Sequence, residues 1–371
     1  MIFRTTHTGS LPKLPARRAE HEHYADLAAI VRKQVEVGIE VVGNGEIGRP
    51  SYVGYLSTRV KGLGGTSGPV IVGDLEEFPD LRFTRRQTGG RQFVRPACID
   101  ELRYSGHEAL SRELESFRKV CRFEGVPDAF VTVPSPGLAT LFFDNRAYDN
   151  VDEYLQAWAR VLKSECDAIS DAGFIVQVDC PDLAMGFHVQ LHGITERQFR
   201  DRIEKHIDAL NFAVSDVPPE RSRIHVCWGN YEGPHTCDIP LKSILDIVLR
   251  ARPAGLLVEA ANPRHAHEWE LFKEVKFPIE KYIVPGVIDS TTNFVEHPDL
   301  VAQRLLNFAS CIPPERVMAG TDCGFATFDG PSKIDPHVVW AKLRNLAQGA
   351  CIARARVLGT IERENDNVSM V

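Results

Sequence analysis

Three residues with metal-binding side chains stand out in the sequence: His225, Cys227 and Cys323. His225 and Cys227 lie two positions apart in an apolar run, Ile-His-Val-Cys-Trp from position 224. Residues at this spacing on a β-strand project to the same face. An imidazole and a thiolate on one face can bind one divalent metal, most often zinc (Zn²⁺). With Cys323, which ends another apolar run, they would leave one position open, the pattern of a catalytic zinc site.

The alternative for His225 and Cys227 is a structural role. A buried histidine can satisfy its hydrogen bonds inside the core, and a free cysteine behaves there as a small apolar side chain. From the pair alone we favour this alternative, because two ligands do not make a site. The choice depends on whether the fold brings Cys323 to the same place.

The recurring unit of the sequence is a β-branched run, a loop and a helical stretch, which is typical of βα units with a parallel sheet. The runs predict eight strands, at 4–11, 39–43, 129–133, 174–178, 224–230, 255–258, 282–288 and 316–319. Helices are predicted at 106–123, 151–172, 196–214 and 335–353. The first loop, Thr-Gly-Ser-Leu-Pro, is not the phosphate turn of a doubly wound open sheet. We therefore predict one α/β domain over 1–371, a (β/α)8 TIM barrel.

One segment, at about 52–99, breaks this alternation. It is rich in glycine and contains two short alternating stretches, 70–72 and 92–94, with a Thr-Gly-Gly turn signal at 88–90. We predict an inserted β-hairpin loop after strand 2. Long loops in compact domains are usually functional.

Polar or metal-binding residues follow every predicted strand, and we call this set the rim. Its members are Ser10, Glu46, Ser135, Asp179, His225, Glu259, Asp289 and Cys323. The carboxyl ends of barrel strands meet at one face, where active sites of this fold are built. Each residue alone could be a helix N-cap or a solvated side chain, but eight in a row favour a functional rim.

The composition is that of an ordinary globular protein. The chain has 371 residues, 43% hydrophobic and 25% charged, and a net charge of −7 without a long basic block. Nucleic-acid binding gains nothing from that balance, and no apolar run is as long as a membrane span. Nine irregularly spaced cysteines are not a disulfide framework, and the first residues lack a signal-peptide layout. We expect a cytoplasmic protein without nucleic-acid or membrane partners; a homo-oligomer is one option.

Several short motifs together resemble the cobalamin-independent methionine synthases and their single-barrel relatives. His225-Val226-Cys227 resembles the family's His-x-Cys, and Thr321-Asp322-Cys323-Gly324 resembles its Asp-Cys-Gly. Further similar stretches are Thr8-Gly9-Ser10-Leu11-Pro12, Gly45-Glu46 with Arg49, Gln177-Val178-Asp179 and Leu257-Val258-Glu259-Ala260. These matches cover almost the whole chain.

The resemblance implies zinc held by His225, Cys227 and Cys323, with Glu259 as a fourth ligand or a near neighbour. It implies a zinc-dependent methyl or alkyl transferase with two small-molecule substrates, a thiol and an alkyl donor. A zinc-bound thiol is deprotonated and attacks an electrophilic carbon. We expect Ser10, Glu46 and Asp179 to bind substrate, the two carboxylates by orienting an amino group such as that of homocysteine. Glu46, Asp179 and Asp289 are the candidate catalytic groups.

Two departures from the family pattern concern the alkyl donor. The methionine synthases carry a histidine in Gly-Val-Tyr-Asp-x-His, whereas this chain reads Gly-Val-Ile-Asp-Ser-Thr from position 286. Their Asp-Glu-Pro is Asp179-Cys180-Pro181 here. We therefore expect methyl-folate to be a poor donor and a smaller electrophile to be used, as in the epoxyalkane:coenzyme M transferases. The candidate proton donors are Asp289, which is best placed, and His235, Tyr231, Tyr52 and Tyr55.

Other interpretations remain open at this point. A zinc hydrolase on the same barrel is less favoured, because such sites often use His-x-His after the first strand and His7 is followed by Thr8. A structural zinc would use four ligands close in sequence. An acidic group on the thiol could meet Arg4, Arg49, Arg59 or Arg264. The histidines at 21, 23, 265 and 267 are interpreted as exposed.

Overall fold

The computed structural model describes residues 2–12, 20–78, 80–81, 95–189, 193–327 and 334–368. The strands in these ranges are Val41–Gly43 (β1), Val60–Gly64 (β2), Ala97–Tyr104 (β3), Asp128–Pro134 (β4), Ile175–Asp179 (β5), Ser222–His225 (β6), Gly255–Glu259 (β7), Tyr282–Ile288 (β8) and Gly320–Thr321 (β9). Seven of them form a parallel sheet in the order β1-β4-β5-β6-β7-β8-β9.

Residues 5 and 6 close this sheet into a barrel. Thr5 forms a parallel bridge with Ala319, which precedes β9, and Thr6 forms one with Val41 of β1. The N–H of Thr6 donates to the Ala319 carbonyl at 2.9 Å, and the N–H of Val41 donates to the Thr5 carbonyl at 2.9 Å. The predicted (β/α)8 barrel is thus confirmed. Its first strand is reduced to two bridges, although the sequence predicted a strand over 4–11.

The helices accompany the strands in the expected alternation. They are Glu20–Glu36 (α1), Gly73–Glu77 (α2), His107–Phe123 (α3), Pro136–Phe142 (α4), Val151–Asp171 (α5), Glu196–Ala213 (α6), Leu245–Val248 (α7), Pro298–Ala309 (α8) and Pro336–Val368 (α9). The Asn150 side chain caps α5, and Thr195 with Gln198 forms a capping box at α6. The bounds of α3, α5 and α6 were predicted within one residue at each end. None of the described helices has both the length and the apolar character to cross a membrane.

One helix end was predicted wrongly. The sequence predicted that the last helix ends at about Ala353, whereas α9 continues to Val368. No proline interrupts the residues between Ala353 and Val368. The sequence therefore contains no strong stop signal at Ala353, and the helix continues beyond its apolar pattern.

Within the described residues, the inserted segment contains an antiparallel pair that lies outside the two stretches predicted for the hairpin. β2 pairs with β3, with Val60 opposite Tyr104 and Gly64 opposite Ala97. Residues 70–72 contain only an isolated bridge from Val72 to Val189. Three alternating residues are too short a signal to define a strand. The predicted turn at 88–90 and the stretch 92–94 lie outside the described residues.

Two buried arginines, Arg59 in the insertion and Arg49 just before it, bind the helices of the barrel. Arg59 contacts Glu165 of α5 at 2.6 Å and also binds Glu113 of α3, and Arg49 binds Glu113 at 2.9 Å. The Tyr55 hydroxyl donates to Glu165 at 2.9 Å, and the Arg49 guanidinium lies 4.3 Å from the Tyr55 ring. These charges stabilise one another inside the fold. Arg49, Arg59 and Tyr55, all predicted as candidate substrate or proton-transfer groups, are used in this network.

Candidate functional site

His225, Cys227 and Cys323 come together at the carboxyl ends of the strands. Their ligand atoms all lie within 4.8 Å of one another, and the three residues are buried. The two sulfur atoms are 4.0 Å apart. This donor set fits a tetrahedral zinc ion, which binds sulfur at about 2.3 Å and imidazole nitrogen at about 2.0 Å. The structural alternative for the His225 and Cys227 pair required Cys323 to lie elsewhere, and it does not.

The turn after β6 positions this group. His225 is the last residue of β6, and its Nε2 lies 3.0 Å from the Asp322 carbonyl oxygen. The chain then turns at Gly229, whose φ of +118° lies in the left-handed region that favours glycine. The N–H of Gly229 donates to the Cys227 sulfur at 3.3 Å. The neighbouring Cys323 side chain and burial raise the pKa of Cys227 in the absence of a metal, whereas a bound metal would deprotonate the thiol.

Two carboxylates next to the metal-binding group, Asp322 and Glu259, accept hydrogen bonds from the neighbouring loops. Asp322 accepts hydrogen bonds of 2.7 to 3.0 Å from the backbone N–H groups of the three residues that follow Glu259. Glu259 accepts from the Trp228 N–H and from the Asn262 side chain, both at 2.9 Å. The group of converging ligand atoms does not include Glu259. Of the two predicted roles, this geometry favours that of a near neighbour.

A cavity of about 230 Å³ borders the three metal-binding residues. The rim members that line it are Ser10, Glu46, Asp179, His225 and Cys323. Apolar side chains also line it, among them Val70, Val72, Leu138, Leu141, Phe142 and Met185, and Tyr52, Arg95, Asn230 and Tyr231 contribute polar groups. A largely apolar cleft with a few converging polar groups is typical of small-molecule sites.

Both predicted substrate-binding carboxylates lie at this cavity. Glu46 has a φ of +57°, which is unusual for a residue other than glycine, and its side chain accepts from the Thr132 hydroxyl at 3.1 Å. Asp179 accepts from the Gln177 amide at 2.9 Å and lies 3.5 Å from His225 Nδ1. Ser10 accepts from the Ala326 N–H at 3.1 Å. The fold therefore brings together all three residues that were expected to bind substrate.

Two rim members have local structural roles instead. Ser135 is the N-cap of α4 and accepts from the Leu138 N–H at 3.0 Å. Asp289 accepts hydrogen bonds from the N–H and hydroxyl groups of Thr291 and Thr292. Burial raises the pKa of Asp289, but these hydrogen bonds outweigh it and lower the pKa below its usual value. Asp289 is not among the cavity-lining residues, so the structure does not support its predicted role as proton donor.

Of the other predicted proton donors, Tyr52 has the most suitable position. It lines the same cavity as Cys227 and Cys323. Burial, together with the negative charges of Cys227, Cys323 and Asp179, raises the pKa of Tyr52 well above its ordinary value. The hydroxyl therefore keeps its proton at neutral pH and is available to donate it or to form a hydrogen bond.

Next to the cavity lies a buried histidine cluster that the sequence did not reveal. The Asp238 carboxylate lies 2.8 Å from His235 Nδ1 and 2.9 Å from His265 Nε2. His265 Nδ1 is 2.8 Å from Glu268. His188 Nε2 lies 3.1 Å from Asp238 without the alignment of a hydrogen bond. The local signals were two spacings of three residues, between His235 and Asp238 and between His265 and Glu268.

His265 shows why its predicted exposure was wrong. Its side chain is 3% exposed, and its ring lies against Trp228 with the centroids 4.2 Å apart. The segment after β7 folds back onto the loop after β6 instead of starting a helix at the surface. His267 is exposed as predicted, and the side chains at 21 and 23 lie outside the described residues.

The cluster fixes the loop that carries Tyr231 to the cavity. The His235 N–H donates to Asp74 at 3.0 Å, and the Tyr231 hydroxyl donates to the same carboxylate oxygen. The rings of Tyr231 and His235 stack with centroids 4.4 Å apart. Burial lowers the pKa of His265, but Asp238 and Glu268 raise it to about 10. Two predicted proton-donor candidates, His235 and Tyr231, are therefore engaged in this network.

The remaining two arginines that were predicted to meet an acidic group lie away from the cavity lining. Arg4 binds Asp128 at 2.8 Å, and Arg264 is exposed. Among the described residues, the arginine that lines the cavity is Arg95, at the end of the insertion. It was missed because the alternating stretch at 92–94 does not indicate where the end of the insertion lies in the fold.

The chain resembles known proteins over most of its length. A family described as "Cobalamin-independent synthase, Catalytic domain" matches residues 144–348, a range that contains Asp179 and all the proposed metal-binding residues. A methionine synthase of Thermococcus kodakarensis is 24% identical over 356 residues, which cover 95% of this chain and 88% of that protein. The uncharacterized protein YxjH of Bacillus subtilis is 25% identical over 371 residues, with 93% of each chain covered.

A solved structure shows the same fold. It is a B12-independent methionine synthase from Shewanella sp. W3-18-1 in complex with selenomethionine. The TM-score is 0.75 at 18% sequence identity, and the match covers 97% of this chain and 100% of that chain. At this level of identity the likeness establishes the barrel architecture.

Serine in place of Cys227 or Cys323 removes one thiolate ligand. We expect the zinc content to fall from about one ion per chain to a small fraction of that. The measurement is metal analysis of the purified, folded variants. Cys351→Ser is the control, because Cys351 is exposed on α9 and should leave the zinc content unchanged. Full zinc in both ligand variants would show that the assignment is wrong.

Asp238→Asn removes the charge that the buried histidines share. Breaking a buried ion pair costs about 3–5 kcal/mol, so we expect a clear loss of unfolding free energy at about pH 6. The raised histidine pKa values stabilise the fold below the unfolded pKa, and this contribution disappears as the pH rises through about 10, the folded pKa of His265. The difference between wild type and variant should therefore shrink towards high pH.

Urea unfolding across this pH range measures the effect of the Asp238 substitution. Asp152→Asn is the control, since it removes an exposed partner of Lys205 and should change little at any pH. A difference that stays constant with pH would mean that the histidines are not charged in the folded protein.

Proposed function

Because the chain belongs to the family of cobalamin-independent methionine synthases, we propose that it is a zinc-dependent methyltransferase whose acceptor is the thiol of homocysteine. The observation that carries the proposal is the convergence of His225, Cys227 and Cys323 at one cavity. Zinc bound there would supply a Lewis acid that keeps a substrate thiol deprotonated, whereas a free thiol has a pKa of about 8.5. The relative from Thermococcus kodakarensis, named a methionine synthase, supports the same acceptor.

Glu46 and Asp179 are the proposed binding groups for the amino group of the acceptor. Both carboxylates line the cavity beside the metal-binding residues. Charge-assisted hydrogen bonds from an ammonium group to carboxylates are stronger than neutral ones, and they would fix the direction of the thiol. Ser10, on the same lining, completes the proposed contacts to substrate.

Tyr52 is the proposed hydrogen-bond donor to the leaving atom, in place of Asp289 as proton donor. A donor that loses its methyl group leaves with an electron pair, so its leaving atom needs a proton or a hydrogen bond. Tyr52 holds its proton at neutral pH and lines the cavity, whereas the carboxyl group of Asp289 is ionised and lies in a local turn. A tyrosine hydroxyl could interact with the leaving atom in place of the histidine that the methionine synthases carry in Gly-Val-Tyr-Asp-x-His.

The two alternative functions are less well supported. The epoxide-opening transferase was considered because of length and the missing histidine, but the named relatives are methionine synthases. A zinc hydrolase prefers histidine and carboxylate ligands, and this site offers two thiolates. The prediction that methyl-folate is a poor donor rests on the sequence departures and stays a prediction.

The reaction is tested by incubating the zinc-loaded protein with homocysteine and one donor at a time. The donors are methyl-folate, a small methylsulfonium compound and a short epoxide. We expect methionine from the methylsulfonium compound and little from methyl-folate. Efficient methionine formation from methyl-folate would confirm the methyltransferase and contradict the donor prediction. Consumption of the epoxide alone would favour the alternative transferase, and ester hydrolysis without a thiol would reject thiol chemistry altogether.

Glu46→Gln tests amino-group recognition. Losing a charged hydrogen bond costs about 1.5–3 kcal/mol, so the dissociation constant of homocysteine should rise about 10-fold or more. The dissociation constant of 4-mercaptobutanoate, which has no amino group, should not change. Titration calorimetry of the zinc-loaded protein measures both. Glu108→Gln is the control, because Glu108 is exposed on α3. Equal weakening of both ligands would contradict the assigned role.

A further inference from the structure

Arg95 is a buried cation at the cavity to which the proposed reaction assigns no task. Its residue is 4% exposed, and it contributes to the cavity lining. Nη1 donates to the Phe142 carbonyl at 2.6 Å, and Nη2 donates to the Gly68 carbonyl. A guanidinium has five N–H donors. The two carbonyls use only part of this capacity, so donors remain for a ligand in the cavity.

The charge of Arg95, unlike the charges of Arg49 and Arg59, is not paired with a nearby carboxylate of the described residues. Arg49 and Arg59 bind carboxylates at short distances. For Arg95, no carboxylate oxygen of the described residues lies within 4.0 Å of the guanidinium. Burial lowers the pKa of Arg95, and the charge of Asp144 offsets only part of this effect. A buried cation without a counter-ion is unfavourable, and a bound anion would relieve it.

Arg223 shows that a missing carboxylate alone does not indicate a ligand site. It is fully buried, and its guanidinium donates to Gln177, Thr6 and His7 inside the barrel at 2.9 to 3.2 Å. Arg223 does not contribute to the cavity lining. Arg95 differs in both respects, because it has fewer acceptors and borders the place where a substrate would bind.

We propose that Arg95 binds a carboxylate carried by a substrate in this cavity. The inference rests on the proposed function, since it adds one recognition group to the same site. The planar guanidinium matches the two oxygens of a carboxylate, a geometry that lysine cannot offer. Within the cavity, Glu46 and Asp179 present negative charge and Arg95 presents positive charge. This distribution suits a zwitterionic amino acid, whose thiol, amino group and carboxylate would each meet a different partner.

Arg95 and Tyr52 line the same cavity as Cys227 and Cys323. The cation therefore shares one cavity with the thiol-binding position. The carboxylate can belong to homocysteine or to the glutamate of a folate donor. The chemistry is the same in both cases, and the test separates the two sources.

A purely structural role is the competing explanation. Arg95 links Gly68 in the insertion to Phe142, the last residue of α4, and a cation is favourable at the carbonyl end of a helix. Such a brace predicts a loss of stability on substitution without any preference among ligands. The experiment therefore compares ligands that differ only in the carboxylate.

The experiment is calorimetric titration of the zinc-loaded wild type, Arg95→Met and Arg95→Lys. The acceptor probes are homocysteine and 3-aminopropane-1-thiol, which is homocysteine without its carboxylate. The donor probes are methyl-folate and a tetrahydropterin that lacks the glutamate. Whichever of homocysteine and methyl-folate binds Arg95 through its carboxylate should bind Arg95→Met more weakly. Its dissociation constant should rise about 10- to 100-fold, because a charged hydrogen bond contributes about 1.5–3 kcal/mol. Arg95→Lys should restore part of this loss.

Arg146→Met is the matched control. Arg146 also braces the insertion, since it donates to the Thr66 carbonyl at 2.6 Å, but it is exposed and does not line the cavity. Its substitution should leave all dissociation constants unchanged. Thermal unfolding of every variant identifies a loss of folded protein.

The outcomes separate the inference from the proposed function. Weaker binding of homocysteine alone, or of methyl-folate alone, supports the role of Arg95 and identifies the source of the carboxylate. If Arg95→Met weakens each probe and its carboxylate-free counterpart equally, or weakens none, Arg95 is only a brace and the inference is overturned. Carboxylate-dependent binding without methyl transfer would reject the proposed function and leave the Arg95 site standing.

Discussion

The site depends on one geometric constraint, the common level at which parallel strands end. Asp179 pairs with His225, so β5 and β6 end at the same level, and β7 continues two residues beyond Leu257, the partner of His225, to Glu259. The barrel then closes through residues 5 and 6, which brings Cys323 to within 4.0 Å of Cys227 although 96 positions separate them. A slip of one residue in any of these pairs would turn a ligand to the opposite face. The hydrogen bonds that the Asp322 carboxylate accepts from the backbone N–H groups of the loop after β7 keep this register at the metal-binding group.

Features with a local cause could be predicted from the sequence. The long helices were found from the periodicity of their apolar residues. His225 and Cys227 were found from their spacing of two, although β6 ends at His225 and Cys227 lies in the turn after it. Features with a distant cause could not. Asp289 has the right position on its strand, but two threonines that follow it decide its ionisation. The burial of His265 and the placement of Arg95 depend on loops that meet only in the folded chain.

Two residues at or near the cavity adopt backbone conformations that are unfavourable for residues other than glycine. Glu46 and His235 both adopt left-handed backbone conformations, with φ of +57° and +54°. Each such residue costs on the order of 1–3 kcal/mol unless the surroundings hold it. Here they do: the Glu46 N–H donates to the Asn44 side chain at 3.0 Å, and the His235 N–H donates to Asp74 at 3.0 Å. The strain turns Glu46 and the Tyr231 loop towards the cavity, which ordinary helical or extended conformations would not do.

The cavity is built from two kinds of element with different tasks. The metal-binding residues and Asp179 come from strand ends or lie within two residues of them, and a rigid barrel holds them in fixed positions. Tyr52, Val70, Val72 and Arg95 come from the insertion, which contacts the barrel through a few buried ion pairs and bridges. Reaction chemistry needs precise geometry, whereas the shape and charge of a substrate are read by adaptable segments. Under the proposed function, the barrel would therefore supply thiol activation that is common to the family. The insertion would decide which donor and which acidic group the site accepts, so a change of substrate within this fold needs changes in the insertion and none at the metal.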